Sequence, residues 1–183
     1  LGWELHLPAE HALSVYRKVM AAGAEFGIAN AGYRAIESLR LEKGYRAWGS
    51  DIGPDYTPFE AGLGWAVKLK KNVPFQGREA LAAQHGARLT KRLACFTLDD
   101  PEVVLLGRET IYRNGQRVGW LTSAGWGHTL ATNIGYGYVR DPDGVDDDFL
   151  YGGDYELEVA TTRLPCRIHR RALYDPKMAR VRA

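Results

Sequence analysis

Cysteine, methionine and net charge are all scarce in this chain, and each scarcity removes a class of function. It has two cysteines and two methionines in 183 residues, with a formal net charge of only +2. Cys95 and Cys166 stand far apart in strand-like runs, KRLACFTL and LPCRIHR, and match neither a zinc-ligand spacing nor a Cys-x-x-Cys redox pair. Two free thiols packed as small hydrophobes are expected, which suits a reducing compartment. The five histidines are scattered, without a His-x-x-x-His spacing or an arguable Ser–His–acid set, so no metal site is expected. A near-neutral balance argues against a dedicated nucleic-acid binder, because Lys68, Lys70 and Lys71 make only a small patch. No run approaches the roughly 18 apolar residues of a membrane span, and no signal peptide is visible. Gly125-Trp126-Gly127 and Gly135-Tyr136-Gly137 are too short for phosphate loops and read as turns or close strand packing. The chain opens on Leu rather than Met, within an apolar run. A processed or cut N-terminus, and hence a piece of a longer protein, is the expectation.

The hydrophobic pattern divides the sequence in two. Trp3, Leu5 and Leu7 alternate with Glu4 and His6, the period of a half-buried strand. From Ala9 to Ala22 apolar residues recur at three and four, an amphipathic helix that Gly23 closes. A second helix is predicted from about Gly32 to Lys43, with Gly44 at its end. Asp51 to Pro58 reads as an ordered loop. Thr57-Pro58-Phe59-Glu60 has the N-cap, proline and acid of a helix start. A shorter helical segment is predicted from Phe75 to Gln84. After about residues 86–91 short β-patterned runs alternate with turn residues. Asn114-Gly115 is the strongest hairpin signal, and Asp146-Asp147-Asp148 reads as a solvated acidic turn. The fold class expected is α+β, with a mixed α/β part over residues 1–88 followed by a small antiparallel β-barrel over 89–183.

Taken on their own, the chemistry-bearing residues have plain readings. Glu4 points away from Trp3 and Leu5 on an alternating strand, toward solvent. Trp65 in AGLGWAV reads as core, because aromatics dominate buried area. Glu37 and Arg40 share a helix face, where an ion pair is expected. Glu42 reads as structural too, and Glu60 suits the first turn of a helix.

The stretch from Glu37 to Leu81 goes further. LEKGYRAWG, TPFEAGLGW and FQGREAL together resemble the folate-binding aminomethyltransferase family, the glycine cleavage T-protein and its relatives, and most of all the folate domains of sarcosine and dimethylglycine dehydrogenases. LGWE at residues 1–4 resembles the end of that family's Tyr-x-Gly-Glu-x-Gly-aromatic-Glu motif. GWLTS at Gly119–Ser123 and NIGYGYV at Asn133–Val139 resemble its C-terminal barrel.

The resemblance implies an aminomethyltransferase folate-binding fold with tetrahydrofolate as ligand. It makes Glu4 the carboxylate that receives the pterin N–H donors, and Trp65 an aromatic face beside the folate. It implies FAD bound outside this chain, and the missing N-terminal flavin and folate-domain segments of the same parent as partners. The compartment would be the cytoplasm of a bacterium or the mitochondrial matrix of a eukaryote.

Two departures matter. In the glycine-cleavage branch an arginine that contacts the folate precedes the acid-Ser-Leu-Arg string, and here that position is Ile36. Arg34, two residues earlier, lies on another helix face. The family's catalytic aspartate lies upstream of the Gly-aromatic-Glu motif, so no catalytic residue is expected in this chain. An aminomethyltransferase of glycine cleavage is the enzymatic alternative. A non-enzymatic folate-binding assembly factor of the same fold is a second, weakened because Lys43-Gly44-Tyr45 lacks the cysteine of that branch.

Overall fold

A computed structural model describes residues 3–180 and 182. Its C-terminal part is a closed six-stranded barrel, and helices and turns precede it, which is the α+β arrangement expected. The strands are β1 (Lys91–Leu98), β2 (Thr110–Arg113), β3 (Gln116–Gly127), β4 (Thr132–Arg140), β5 (Tyr155–Val159) and β6 (Thr162–His169). They close in the order β1-β4-β3-β2-β5-β6, every pair antiparallel. Closure removes the unpaired edges an open sheet would expose.

Between β2 and β3, Asn114 and Gly115 take φ of 49° and 76°, the two left-handed residues of a turn that matches strand twist. Inside the barrel Phe96, Leu121, Ile111 and Leu157 are fully buried. The outer face of β1 and β4 is covered as well. Cys95, Ile134 and Tyr136 pack there against Leu41 in a second core. Burial on both faces explains why β1 and β4 read as nearly continuous apolar runs.

Close strand approach fixes one glycine. A Cβ at Gly137 would lie 2.5 Å from the Trp120 carbonyl oxygen and 2.9 Å from Leu121 Cα, both backbone atoms that cannot swing away. Gly137→Ala is therefore expected to lower the unfolding free energy by about 1–3 kcal/mol in a urea titration, the usual cost of overpacking. An unchanged midpoint would show that β3 and β4 separate more easily than their register implies.

The helices are α1 (Ala12–Gly23), α2 (Tyr33–Lys43), α3 (Arg78–Gln84) and α4 (Asp147–Tyr151). α2 ends as its Gly predicts: Gly44 has φ 74°, and Gly44 and Tyr45 donate their N–H groups to the carbonyls of Leu41 and Arg40. Three sequence expectations are corrected. Residues 3–8 are irregular rather than a strand, and Trp3 is 85% exposed. Alternation becomes a strand only when a neighbour accepts its hydrogen bonds, and among the described residues none runs beside it. Thr57 and Glu60 do form a reciprocal capping box, with Thr57 N to Glu60 Oε2 at 2.8 Å and Glu60 N to Thr57 Oγ1 at 3.2 Å. The turn it starts goes no further, because Gly62 at φ 69° reverses the chain. Asp146 is not a plain solvated turn: it caps α4 by accepting the Phe149 N–H at 2.7 Å.

Candidate functional site

The helical part is tied to the barrel by a buried polar centre on Asp51, a residue that sequence reading left inside an unassigned loop. Asp51 is fully buried. Its Oδ2 accepts from Arg40 Nη1 at 2.6 Å and from the Ala47 N–H at 3.0 Å. Its Oδ1 accepts from Thr122 Oγ1 at 2.5 Å and Ser123 Oγ at 2.7 Å, both on β3. The Tyr138 hydroxyl donates to the Asp51 carbonyl at 2.9 Å. Four side-chain and backbone donors on one carboxylate satisfy a buried charge that would otherwise be costly. No local signal marks this centre in the sequence; the Arg40 side chain, only 11% exposed, takes Asp51 as well as Glu37.

The dense string around α2 is committed to the same framework. Arg40 also pairs with Glu37 at 2.8 Å, the expected helix-face ion pair. Glu42, 2% exposed, accepts from the Thr129 and Leu130 N–H groups at 2.6 and 3.1 Å, where the chain turns from β3 to β4. Lys43 reaches Asp175 at 2.9 Å. Arg46 donates to the Ala61 carbonyl at 3.1 Å and so fixes the loop that leads to Trp65. The structural reading of Glu37, Arg40 and Glu42 agrees with these bonds, and none of the three points a free acid or base at a substrate space.

Glu4 and Trp65 lie elsewhere. The Glu4 side chain is 89% exposed, and the His6 imidazole lies 3.4 Å from it. Trp65 is not core, as the residue alone suggested, but 74% exposed. It sits in a single 3-10 turn, Gly64–Ala66, whose following Lys68 donates to the Trp65 carbonyl at 2.8 Å. The turn is held from behind. Gly64 leaves only 3.1 Å between a notional Cβ and the Phe59 ring, and the Thr57–Glu60 capping box precedes it. The neighbouring Leu63, Ala66 and Val67, with Pro58, Phe75 and Leu81, line a depression of about 400 Å³. No hydrogen bond joins Glu4 to Trp65 among the described residues.

A second concavity, of about 490 Å³, opens between α2 and the C-terminal residues. Ile36, Leu39, Lys43, Tyr174 and Arg180 are among its walls. Ile36, the residue at which the sequence departs from the glycine-cleavage branch, falls on this cavity's wall. Arg34 does not line it.

Burial pushes both Cys95 and Cys166 up to about 12, although a hydrogen bond to Tyr136 opposes the shift at Cys95. Both are free, as expected. Among the described residues no group of His, Cys, Asp or Glu side chains could hold a metal, and no helix is long and apolar enough to cross a membrane.

Comparison with known proteins accounts for this layout. The GCVT N-terminal domain matches residues 1–71, and the glycine cleavage T-protein C-terminal barrel domain matches residues 91–175. Mitochondrial sarcosine dehydrogenase of Mus musculus is 50% identical over 184 residues, covering 100% of this chain and 20% of that protein. Mitochondrial dimethylglycine dehydrogenase of Mus musculus is 36% identical over 182 residues, covering 100% of this chain and 20% of its own length. The crystal structure of the glycine cleavage system aminomethyltransferase T from Bartonella henselae superposes with a TM-score of 0.76 at 25% identity, over 93% of this chain and 45% of that one. The chain thus spans about a fifth of the length of the dehydrogenases it matches. With both of its parts matched in order and the barrel closed as described, this chain belongs to the glycine cleavage T-protein, or aminomethyltransferase, family.

Proposed function

We propose that this chain is the tetrahydrofolate-binding portion of an N-demethylating dehydrogenase of the sarcosine or dimethylglycine type. Residues 1–88 would be the later part of the folate-binding domain and residues 89–183 the barrel that supports it. The observation that carries the reading is Trp65, an indole 74% exposed beside the apolar depression lined by Leu63, Ala66, Val67 and Phe75. A contiguous apolar surface marks a ligand or partner site more readily than a lone exposed side chain does.

Tetrahydrofolate, when bound, would supply the acceptor for a one-carbon unit released by oxidation of an N-methyl group at a flavin elsewhere in the parent, and Glu4 and Trp65 would hold it. The residues of this chain bind and orient. Glu4 offers two acceptor oxygens to the neighbouring N–H groups of a flat pterin edge, and no buried donor competes for them. Trp65 lays its ring against the ligand and keeps water from that side. Catalysis here is positioning: freedom lost on binding is no longer lost at the transition state. On this reading the catalytic aspartate and the flavin site would belong to other parts of the parent. The site would lie in the mitochondrial matrix or in a bacterial cytoplasm.

The likeness to the Bartonella aminomethyltransferase favours a second reading, aminomethyl transfer within glycine cleavage. Ile36 in place of the folate-contacting arginine speaks against it.

Glu4→Gln in the full-length enzyme tests the pterin contact. The amide keeps one acceptor but turns a donor toward a donor, so folate affinity is expected to fall by about 1–3 kcal/mol. Flavin reduction by substrate should stay unchanged, since Glu4 plays no part in it. Unchanged folate affinity would make Glu4 an ordinary surface residue.

A further inference from the structure

The stretch before Leu41 has no core of its own. Among the described residues none there is buried, although Trp3, Leu5, Leu13, Tyr16, Val19 and Phe26 are large and apolar. The barrel, by contrast, fills its interior with its own side chains.

Two elements of this stretch are shaped for a neighbour. α1 is amphipathic: Val15, Tyr16 and Val19 share a face flanked by Leu13 and Met20, while Ser14 and Lys18 lie opposite. It packs chiefly against the short turns at its own ends. An isolated helix of 12 residues is marginal in water, so α1 depends on whatever covers that face. Trp3, Leu5 and Leu7 keep the alternation of a strand, yet residues 3–7 make no backbone hydrogen bond among the described residues. Their N–H and C=O groups are open to pairing.

We propose that an upstream segment of the same polypeptide covers this surface, with a strand paired to residues 3–7 and apolar side chains laid on α1. The stretch lies within the match to the GCVT N-terminal domain, residues 1–71, and the chain spans only 45% of the aminomethyltransferase it superposes on. A second copy fits less well. A 12-residue helix is about 18 Å long and 10 Å wide, a face on the order of 200 Å². A stable dimer needs roughly 800 Å² per partner. A tethered segment does not need that area, because its effective concentration is already high. The proposal rests on the reading of this chain as part of a longer enzyme. It also gives Glu4 a place there: Glu4 lies between Trp3 and Leu5, so the same pairing would fix the run that carries it.

Hydrogen exchange read by mass spectrometry, on the full-length enzyme and on the 183-residue chain, tests this. In the full-length enzyme the amides of residues 3–7 and of α1 are expected to exchange about tenfold more slowly or better than in the chain alone. Those of β1 and β3 should exchange alike in both. A second measurement uses the full-length enzyme only and so does not depend on the shorter chain folding. Leu13→Cys should react with iodoacetamide about tenfold more slowly than Lys18→Cys on the opposite helix face, because thiol labelling follows exposure. Equal labelling rates, or α1 amides as open in the full-length enzyme as in the chain, would overturn the proposal. So would protection of α1 in the chain alone with a dimer in sedimentation, which would give the face to a second copy. A covered α1 in an enzyme that binds no tetrahydrofolate would keep this surface and overturn the folate reading. Folate binding with α1 open would do the reverse.

Discussion

Replacing Asp51 with alanine is expected to destabilise the protein by about 3–5 kcal/mol, the range for removing one partner of a buried ion pair. The loss is large because one carboxylate serves four donors. Arg40 would keep Glu37 but lose its 2.6 Å partner, while the Ala47 N–H, Thr122 and Ser123 would lose theirs. Asp51→Asn should cost less, since one acceptor remains and Thr122 can turn fully to the Tyr136 carbonyl, already 3.1 Å away. Urea denaturation of the two variants checks this. A loss below about 1 kcal/mol for the alanine variant would mean that water replaces the carboxylate readily, against the complete burial of the side chain. The consequence reaches function through the loop. Asp51 holds Ala47, and Arg46 beside it holds Ala61, so a loosened Asp51 centre frees the approach to the Trp65 turn.

The barrel was legible because its signals are local. An Asn-Gly pair can take two left-handed residues cheaply, and the hairpin it implies is the one between β2 and β3. The two long helices, the Gly44 stop and the Glu37–Arg40 pair follow from spacing in the same way. What sequence reading missed depends on distant residues. Asp51 meets Thr122 and Ser123 more than seventy positions away, and nothing near it in the chain announces that contact. The alternation at Trp3–Leu7 and the capping box at Thr57–Glu60 are both present in the sequence, yet neither grows into an element. The first has no neighbouring strand among the described residues, and the second meets Gly62. Trp65 was misread as core for a related reason: its hydrophobicity says that it wants covering, not by what. Glu4 and Trp65 as ligand contacts come from the family resemblance, not from pattern.

Trp65→Ala should have the largest effect on binding. A solvent-facing indole that stacks on a ligand is a hot spot of the kind that costs 2 kcal/mol or more on truncation, roughly thirtyfold in affinity. The same exposure says that the fold scarcely uses the ring, so stability should stay within about 0.5 kcal/mol of wild type. Trp65→Phe should recover part of the affinity, because a smaller ring still offers a flat face. One substitution thus lowers affinity while leaving stability in place, which separates binding from packing.

The direct test of folate recognition by this surface is a paired measurement on the full-length enzyme, wild type against Trp65→Ala: tetrahydrofolate affinity by titration and melting temperature on the same preparations. An affinity loss of roughly thirtyfold at an unchanged melting temperature is expected. A lowered melting temperature with wild-type affinity would contradict it, making Trp65 a packing residue and leaving the folate assignment without its principal support.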